Sequence, residues 1–210
     1  PALSLEQLAN LKLEDLLNVP IVRDLNRQMD IIEREAGKIH GYISWQGVLN
    51  NAFNIYGQDI FTGMIETTEL AHQFFALITD VMIALAKRVQ KRQRASGFQI
   101  DQLDVSNCVM NMISPQMYRD FIFPYDQKIA EQFEYFGVHT CNWNINPYLS
   151  ALSELPKVGY LDMGLASDMH KARETFPGTR NAVMYSPVKF QDATLDEIEK
   201  DMRQIRKELS

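Results

Sequence analysis

The sequence predicts an α/β protein built around a parallel sheet, on three observations. Segments with helical hydrophobic period alternate along the chain with short, strand-like runs. No two of those runs are joined by a hairpin turn signal. The segments between them are long enough to carry a crossover helix. Crossovers of this kind are right-handed. Five strands suffice for an open doubly wound sheet and are too few for a closed eight-stranded barrel. Periodicity alone leaves an open sheet and a partial barrel both standing.

The elements follow in order. Ser4 caps a first Leu-rich helix, with Gln7 in the capping-box position. Pro20 opens a second helix that runs through Ala36 and stops at Gly37. Lys38 to Ser44 reads as a strand, with Ile39, Gly41 and Ile43 alternating against polar or aromatic partners. Asp59 to Met64 reads as a short helix. Thr67 to about Arg94 forms a long one, with Leu70, Phe74, Leu77, Ile78, Val81, Leu85 and Val89 on one face. Phe98 to Val105 supplies a second strand. Ser114-Pro115 starts a long helix through Tyr135, with Gly137 as its stop. The run to Cys141 is the third strand, followed by a helix from Pro147 to Leu155. Val158 to Met163 is a fourth strand, Met169 to Phe176 a short helix, and Asn181 to Tyr185 a fifth strand. A last helix, Leu195 to Leu209, is capped by Thr194. This divides the chain into an N-terminal helical segment, 1–37, and a β/α domain, 38–210.

Composition excludes several classes. The 210 residues are 46% hydrophobic and 23% charged, enough apolar matter for a large core. A net charge of −6 argues against a nucleic-acid partner. The basic cluster from Lys87 to Arg94 closes the long helix, where it complements the helix dipole. The longest apolar run, Phe74 to Ala86, is broken by Thr79 and Asp80, so no membrane span is expected. Two cysteines, Cys108 and Cys141, make no disulfide framework, and no signal peptide is evident; a reducing cytoplasm is the expected location. Pro1 is not an initiator methionine, which points to a piece of a longer protein.

The chemistry concentrates at predicted strand ends. His139 and Cys141 lie two apart in Gly137-Val138-His139-Thr140-Cys141-Asn142-Trp143, so an extended strand would aim both at one face. An imidazole and a thiolate are two ligands that zinc accepts. The other reading of the pair is packing, since Cys is often buried. Asp162, at the end of the next strand, is placed to complete or orient a zinc shell, or to cap a helix. Cys108, just past Asp104, is a further candidate ligand or a half-buried thiol. Trp143 and Tyr148 offer an aromatic wall, or packing. Asp101 and Asp104 sit on or near the second strand, and Tyr185-Ser186 ends the fifth.

Three stretches carry a family resemblance. Ser44 to Ala52, leading to Tyr56-Gly57, resembles a strand-and-helix segment of the uroporphyrinogen decarboxylase superfamily. Ile113-Ser114-Pro115-Gln116-Met117-Tyr118 with Phe123-Pro124-Tyr125 is similar to that superfamily's helix after its acidic strand. His139-Thr140-Cys141 matches the His-x-Cys zinc motif of its methyltransferase branch, the methylcobamide:coenzyme M methyltransferases and related corrinoid-dependent demethylases. The resemblance spans roughly residue 38 to the C-terminus.

The resemblance implies a partial (β/α)8 TIM-type barrel, with the early strands and the last one outside this chain. It implies zinc held by His139 and Cys141, with a third ligand, a cysteine, on a segment beyond Ser210; within the chain, Asp162 or Cys108 would replace it. It further implies methyl transfer between a corrinoid on a partner protein and a thiol, methoxy or methanol-type small molecule. Asp104, Asn142, Trp143 and Tyr185 would line the substrate mouth. Two alternatives stand beside it: a metal-free decarboxylase of the porphyrin type, and a non-catalytic corrinoid- or partner-binding module. Asn54 stands where the decarboxylases carry an active-site tyrosine, and no Arg/Lys cluster marks the strand ends.

Overall fold

The computed structural model describes residues 3–209. At the N-terminus local chemistry sets the elements. α1 (Leu5–Ala9) begins at Ser4, whose hydroxyl accepts from the Gln7 N–H while the Gln7 side chain accepts from the Ser4 N–H. After the short α2 (Leu13–Leu16), α3 (Pro20–Ala36) opens on Pro20 and ends at Gly37, whose φ of 73° suits a residue without a Cβ.

The expected strand over 38–44 is not one. That segment is held by side-chain bonds: the Ile39 N–H donates to Ser96 Oγ, and Gln93 Nε2 donates to the Gly41 carbonyl. Gly41 turns the chain at φ 120°. These bonds satisfy backbone groups that a ladder would otherwise use, and the first strand, β1, is only Trp45–Gln46. α4 (Val48–Tyr56), α5 (Asp59–Glu66) and α6 (Thr68–Ala95) follow. α6 is long and apolar enough in composition to cross a membrane. Here Phe74, Phe75, Ile78, Met82, Ala86 and Val89 are buried, and the helix packs against α1, α4 and α5 as a core helix does.

β2 (Gln102–Ser106), β3 (Tyr135–His139), β4 (Val158–Gly164) and β5 (Arg180–Met184) complete a sheet that is parallel throughout among the described residues. Its spatial order, β1-β2-β3-β4-β5, is also its chain order. A doubly wound sheet reverses direction at a switch point. Here none occurs, so right-handed crossovers place the helices on one side, as in a barrel wall. Side-chain burial agrees. Leu103, Val105, Phe136, Val138, Leu161 and Met163 are fully buried on the helix side, each contributing about 1.5–3 kcal/mol of burial. Gln102, Asp104, Ser106, His139, Tyr160 and Asp162 occupy the opposite, concave face. The open-sheet alternative is thereby excluded, and the fold is a partial TIM-type barrel.

The helix expected from Ser114 to Tyr135 is two, α7 (Pro115–Phe121) and α8 (Phe123–Glu131), divided at Ile122. Pro124 has no N–H for the preceding turn and disfavours helical geometry just before it. Gly137, expected as the stop, lies inside β3. A Cβ there would stand 1.7 Å from Asp104 Oδ1, so the glycine makes room for a carboxylate reaching across from β2. α9 (Leu149–Leu152) and α10 (Met169–Thr175) fill the remaining crossovers, and the unanticipated α11 (Pro187–Asp192) and α12 (Leu195–Leu209) follow β5.

Candidate metal centre

Register brings the site together. β2 pairs with β3 so that Ser106 lies opposite His139, the last residue of each strand. The Asn107 N–H extends the ladder by donating to the His139 carbonyl at 2.7 Å. Cys108 and Cys141 each stand two residues past one of those paired ends, and so meet. Cys108 opens a 3-10 turn, Cys108–Met112. Cys141 sits at φ 58°, in the left-handed region, a conformation that costs a non-glycine residue about 1–3 kcal/mol. His139 and Cys141 therefore converge through a turn, not through the strand alternation that the spacing suggested. His139 Nε2 is 3.2 Å from Cys141 Sγ, and one ligand atom from each of Cys108, His139 and Cys141 lies within 4.8 Å of the others. Both cysteines are free and half-exposed.

Asp162, on the neighbouring strand, is almost fully buried and holds the imidazole from behind. Its Oδ2 accepts a short hydrogen bond from His139 Nδ1 and another from the Tyr160 hydroxyl at 3.2 Å. Its Oδ1 accepts the Thr140 N–H at 2.7 Å, and Thr140 Oγ1 donates to the Asp162 carbonyl at 2.6 Å. Those partners assign the proton to Nδ1 and leave Nε2 as the free lone pair facing the sulfurs. Of the two residues expected as third ligand, the geometry puts Cys108 on the ligand face and Asp162 in the orienting position behind it.

The electrostatics suit a cation. The hydrogen bond to Asp162 raises the His139 pKa, against the opposing effect of burial. Burial first, then the hydrogen bond and charge of the Cys108 sulfur, then Asp162, push the Cys141 thiol up to about 12. Two thiols and a carboxylate crowd one another, and a divalent ion is what lets both sulfurs ionise together. Ideal tetrahedral zinc separates two sulfurs by about 3.8 Å and a sulfur from a nitrogen by about 3.6 Å. The observed His139–Cys141 spacing needs to open by only a few tenths of an ångström to match. The donor set fits zinc.

Comparison with known proteins agrees with this architecture. Residues 54–208 match the family model described as Uroporphyrinogen decarboxylase (URO-D). The chain belongs to the uroporphyrinogen decarboxylase family. Its fold is similar to that of a methyltransferase from Methanosarcina mazei, with a TM-score of 0.68 and 20% sequence identity over 92% of this chain. The chain spans 57% of the length of that structure. Comparison with curated proteins finds no match.

The expected substrate residues divide. Asp104 lies on the concave face across Gly137, with Oδ1 accepting from Gln102 Nε2 at 2.6 Å and its backbone N–H donating to the Tyr42 hydroxyl. Burial raises its pKa, and the charge of Asp162 adds to the effect. Asn142 is exposed on the turn after Cys141 and lines a cleft of about 430 Å³ with Leu165, Met184, Ser186, Lys189 and Asp201. Trp143 turns instead onto Tyr148, ring edge to face at 5.3 Å. The Tyr185 hydroxyl donates to Asp201 Oδ2 at 2.6 Å, with the Lys189 ammonium 5.6 Å from its ring centre. Trp143 and Tyr185 thus each have a partner within the chain, a ring contact for one and a hydrogen bond for the other. Gln102 and Tyr160 line the concave face beyond the expected residues; their signal is the period-two alternation of β2 and β4, legible once the strand ends are known.

Proposed function

We propose that the chain is part of a zinc-dependent methyltransferase of the uroporphyrinogen decarboxylase family. It moves a methyl group between a corrinoid on a partner protein and a thiol, methoxy or methanol-type substrate. The observation that carries the reading is the convergence of Cys108, His139 and Cys141 at adjacent strand ends, with Asp162 bonded behind the imidazole. Cys108, His139 and Cys141 would hold the metal, and Asp162, steadied by Thr140 and Tyr160, would fix the ring. Zinc with three protein ligands keeps a fourth position open and supplies there the charge that ionises a thiol or polarises an alcohol or ether oxygen. Asp104, whose charge acts on the His139 ring, would offer a hydrogen-bonding group to a bound substrate, and Asn142 stands on the exposed turn after Cys141. Two free thiols in one site suit a reducing cytoplasm.

A porphyrin-type decarboxylase has less support. It needs cations to hold substrate carboxylates, and among the described residues of the five strands the only Lys or Arg is Arg180, at the far edge. The test is zinc content by elemental analysis on the folded chain, together with methyl transfer from methylcobalamin to a small thiol, followed by absorbance. The wild type should hold about one zinc per chain, and Cys108→Ala and Cys141→Ala should lose it. A well-folded wild type without zinc at saturating supply would overturn the reading.

A further inference from the structure

The stretch from Ser114 to Asp126 supplies no ligand, yet its two helices aim polar groups at one point beneath the site. Tyr118 of α7 and Asp126 of α8 are both fully buried. The Tyr118 hydroxyl donates to Asp126 Oδ2 at 2.9 Å, and Asn107 Nδ2 donates to the same oxygen at 2.8 Å. Asn107, 1% exposed, is the residue immediately before Cys108. Its backbone N–H is the one bonded to the His139 carbonyl. Gly47 closes the remaining side: a Cβ there would stand 1.9 Å from Asn107 Oδ1. The residue preceding one ligand is thus held through its main chain by the strand that ends at His139 and leads into the turn of Cys141. Its side chain is held by α8.

The bonding of this cluster has a gap. Asn107 Oδ1 and Asp126 Oδ1 are both buried, and neither has a donor among the described residues. Leaving such oxygens unpaired is costly. One proton on Asp126 Oδ1 answers both. A carboxylic acid beside a carboxamide accepts the amide N–H on one oxygen and gives its O–H to the amide carbonyl. Burial pushes the Asp126 carboxyl up to about 7, against the hydrogen bonds from Tyr118 and Asn107, so the neutral acid is the form held at mildly acidic pH.

We propose that Tyr118, Asp126 and Asn107 form a buried positioning device that sets Cys108 against His139 and Cys141, with Asp126 acting as a neutral acid paired to the Asn107 amide. The proposal rests on the metal reading above. A merely structural cluster would affect stability; a positioning device also changes which sulfurs ligate in a folded chain.

Cobalt(II) is the probe, because its thiolate charge-transfer band scales with the number of sulfurs bound. Cys108→Ser, held at saturating cobalt to offset its weaker binding, serves as the one-thiolate reference. In the full chain, Asn107→Ala and Asp126→Ala should fold but lose about half of that band, down to the reference. Asp126→Asn should keep the wild-type band, because its amide supplies the N–H that the acid proton supplies. A wild-type band in Asn107→Ala, or an Asp126→Asn as damaged as Asp126→Ala, would overturn the device. If Asp126→Ala fails to fold, the other two variants decide. A second readout needs no metal: iodoacetamide labelling of the metal-free chain, mapped by peptide. Asn107→Ala should raise the Cys108 rate about tenfold relative to Cys141. An unchanged ratio would overturn the positioning role. A wild type that takes up no cobalt, with the labelling ratio shifted as expected, would sink the metal reading alone.

Discussion

Replacing Gly164 with alanine should unseat the turn that carries Cys141. Gly164 ends β4, its N–H donating to the Trp143 carbonyl at 3.0 Å. A Cβ on it would stand 2.0 Å from the Asn142 carbonyl oxygen and 2.2 Å from the carbonyl carbon. Both are backbone atoms, so no change of rotamer relieves the overlap. Restoring ordinary contact requires the turn to move by about 1 Å or more. Overpacking of this kind costs about 1–3 kcal/mol, a sizeable part of the roughly 5–15 kcal/mol that holds a domain together. A Cys141 displaced that far no longer matches a His139 now 3.2 Å away, and zinc affinity should fall by about 10–100-fold. Urea unfolding of the metal-free chain reads the packing cost, and chelator competition on the loaded chain reads the displaced ligand. Unchanged unfolding would refute the steric argument. Lost stability with wild-type zinc affinity would refute the link between this turn and the site.

Asp162→Asn should leave the Thr140 N–H an acceptor but remove the charge that holds the His139 ring; calorimetric titration with zinc should show affinity lower by about 10–100-fold, and wild-type affinity would refute the orienting role. Asp126 predicts a pH dependence of stability. Its folded pKa, about 7, lies above the ordinary carboxylate value, so from about pH 4 to pH 7 the folded chain keeps a proton that the unfolded chain has released. Its contribution to stability therefore falls as pH rises through that window, and above it the penalty is constant. The stability of Asp126→Asn relative to wild type should accordingly improve between pH 5 and pH 8 by urea midpoints, and a constant difference would refute it.

What was legible in the sequence was local. Ser4 with Gln7, Pro20, Gly37 and Thr194 bound their helices where expected, because capping acts within one turn. The 38–44 segment failed as a strand because its backbone is satisfied by Ser96 and Gln93, residues more than fifty positions away. Gly137 was misjudged for a similar reason: its lack of a side chain answers Asp104 across a strand pair, not a helix end. In the site, His139 and Cys141 announced themselves by spacing. Cys108 joins them only through the Ser106–His139 register, a long-range pairing that no window of sequence displays. Trp143 and Tyr185, which the resemblance places at the mouth, also contact Tyr148 and Asp201, partners that their positions at strand ends do not reveal.

The sheet order has a consequence for assembly. Every strand pairs with its predecessor in the chain, and Cys108, His139, Cys141 and Asp162 all follow or belong to three consecutive strands, β2, β3 and β4. Contacts between near neighbours close short loops and form early. The ligand cluster therefore needs only β2, β3 and β4, whatever the order in which β5 docks on β4. A cation captured there would clip two strand ends together and act as a folding staple, so metal supply during synthesis would govern how much chain reaches the native state.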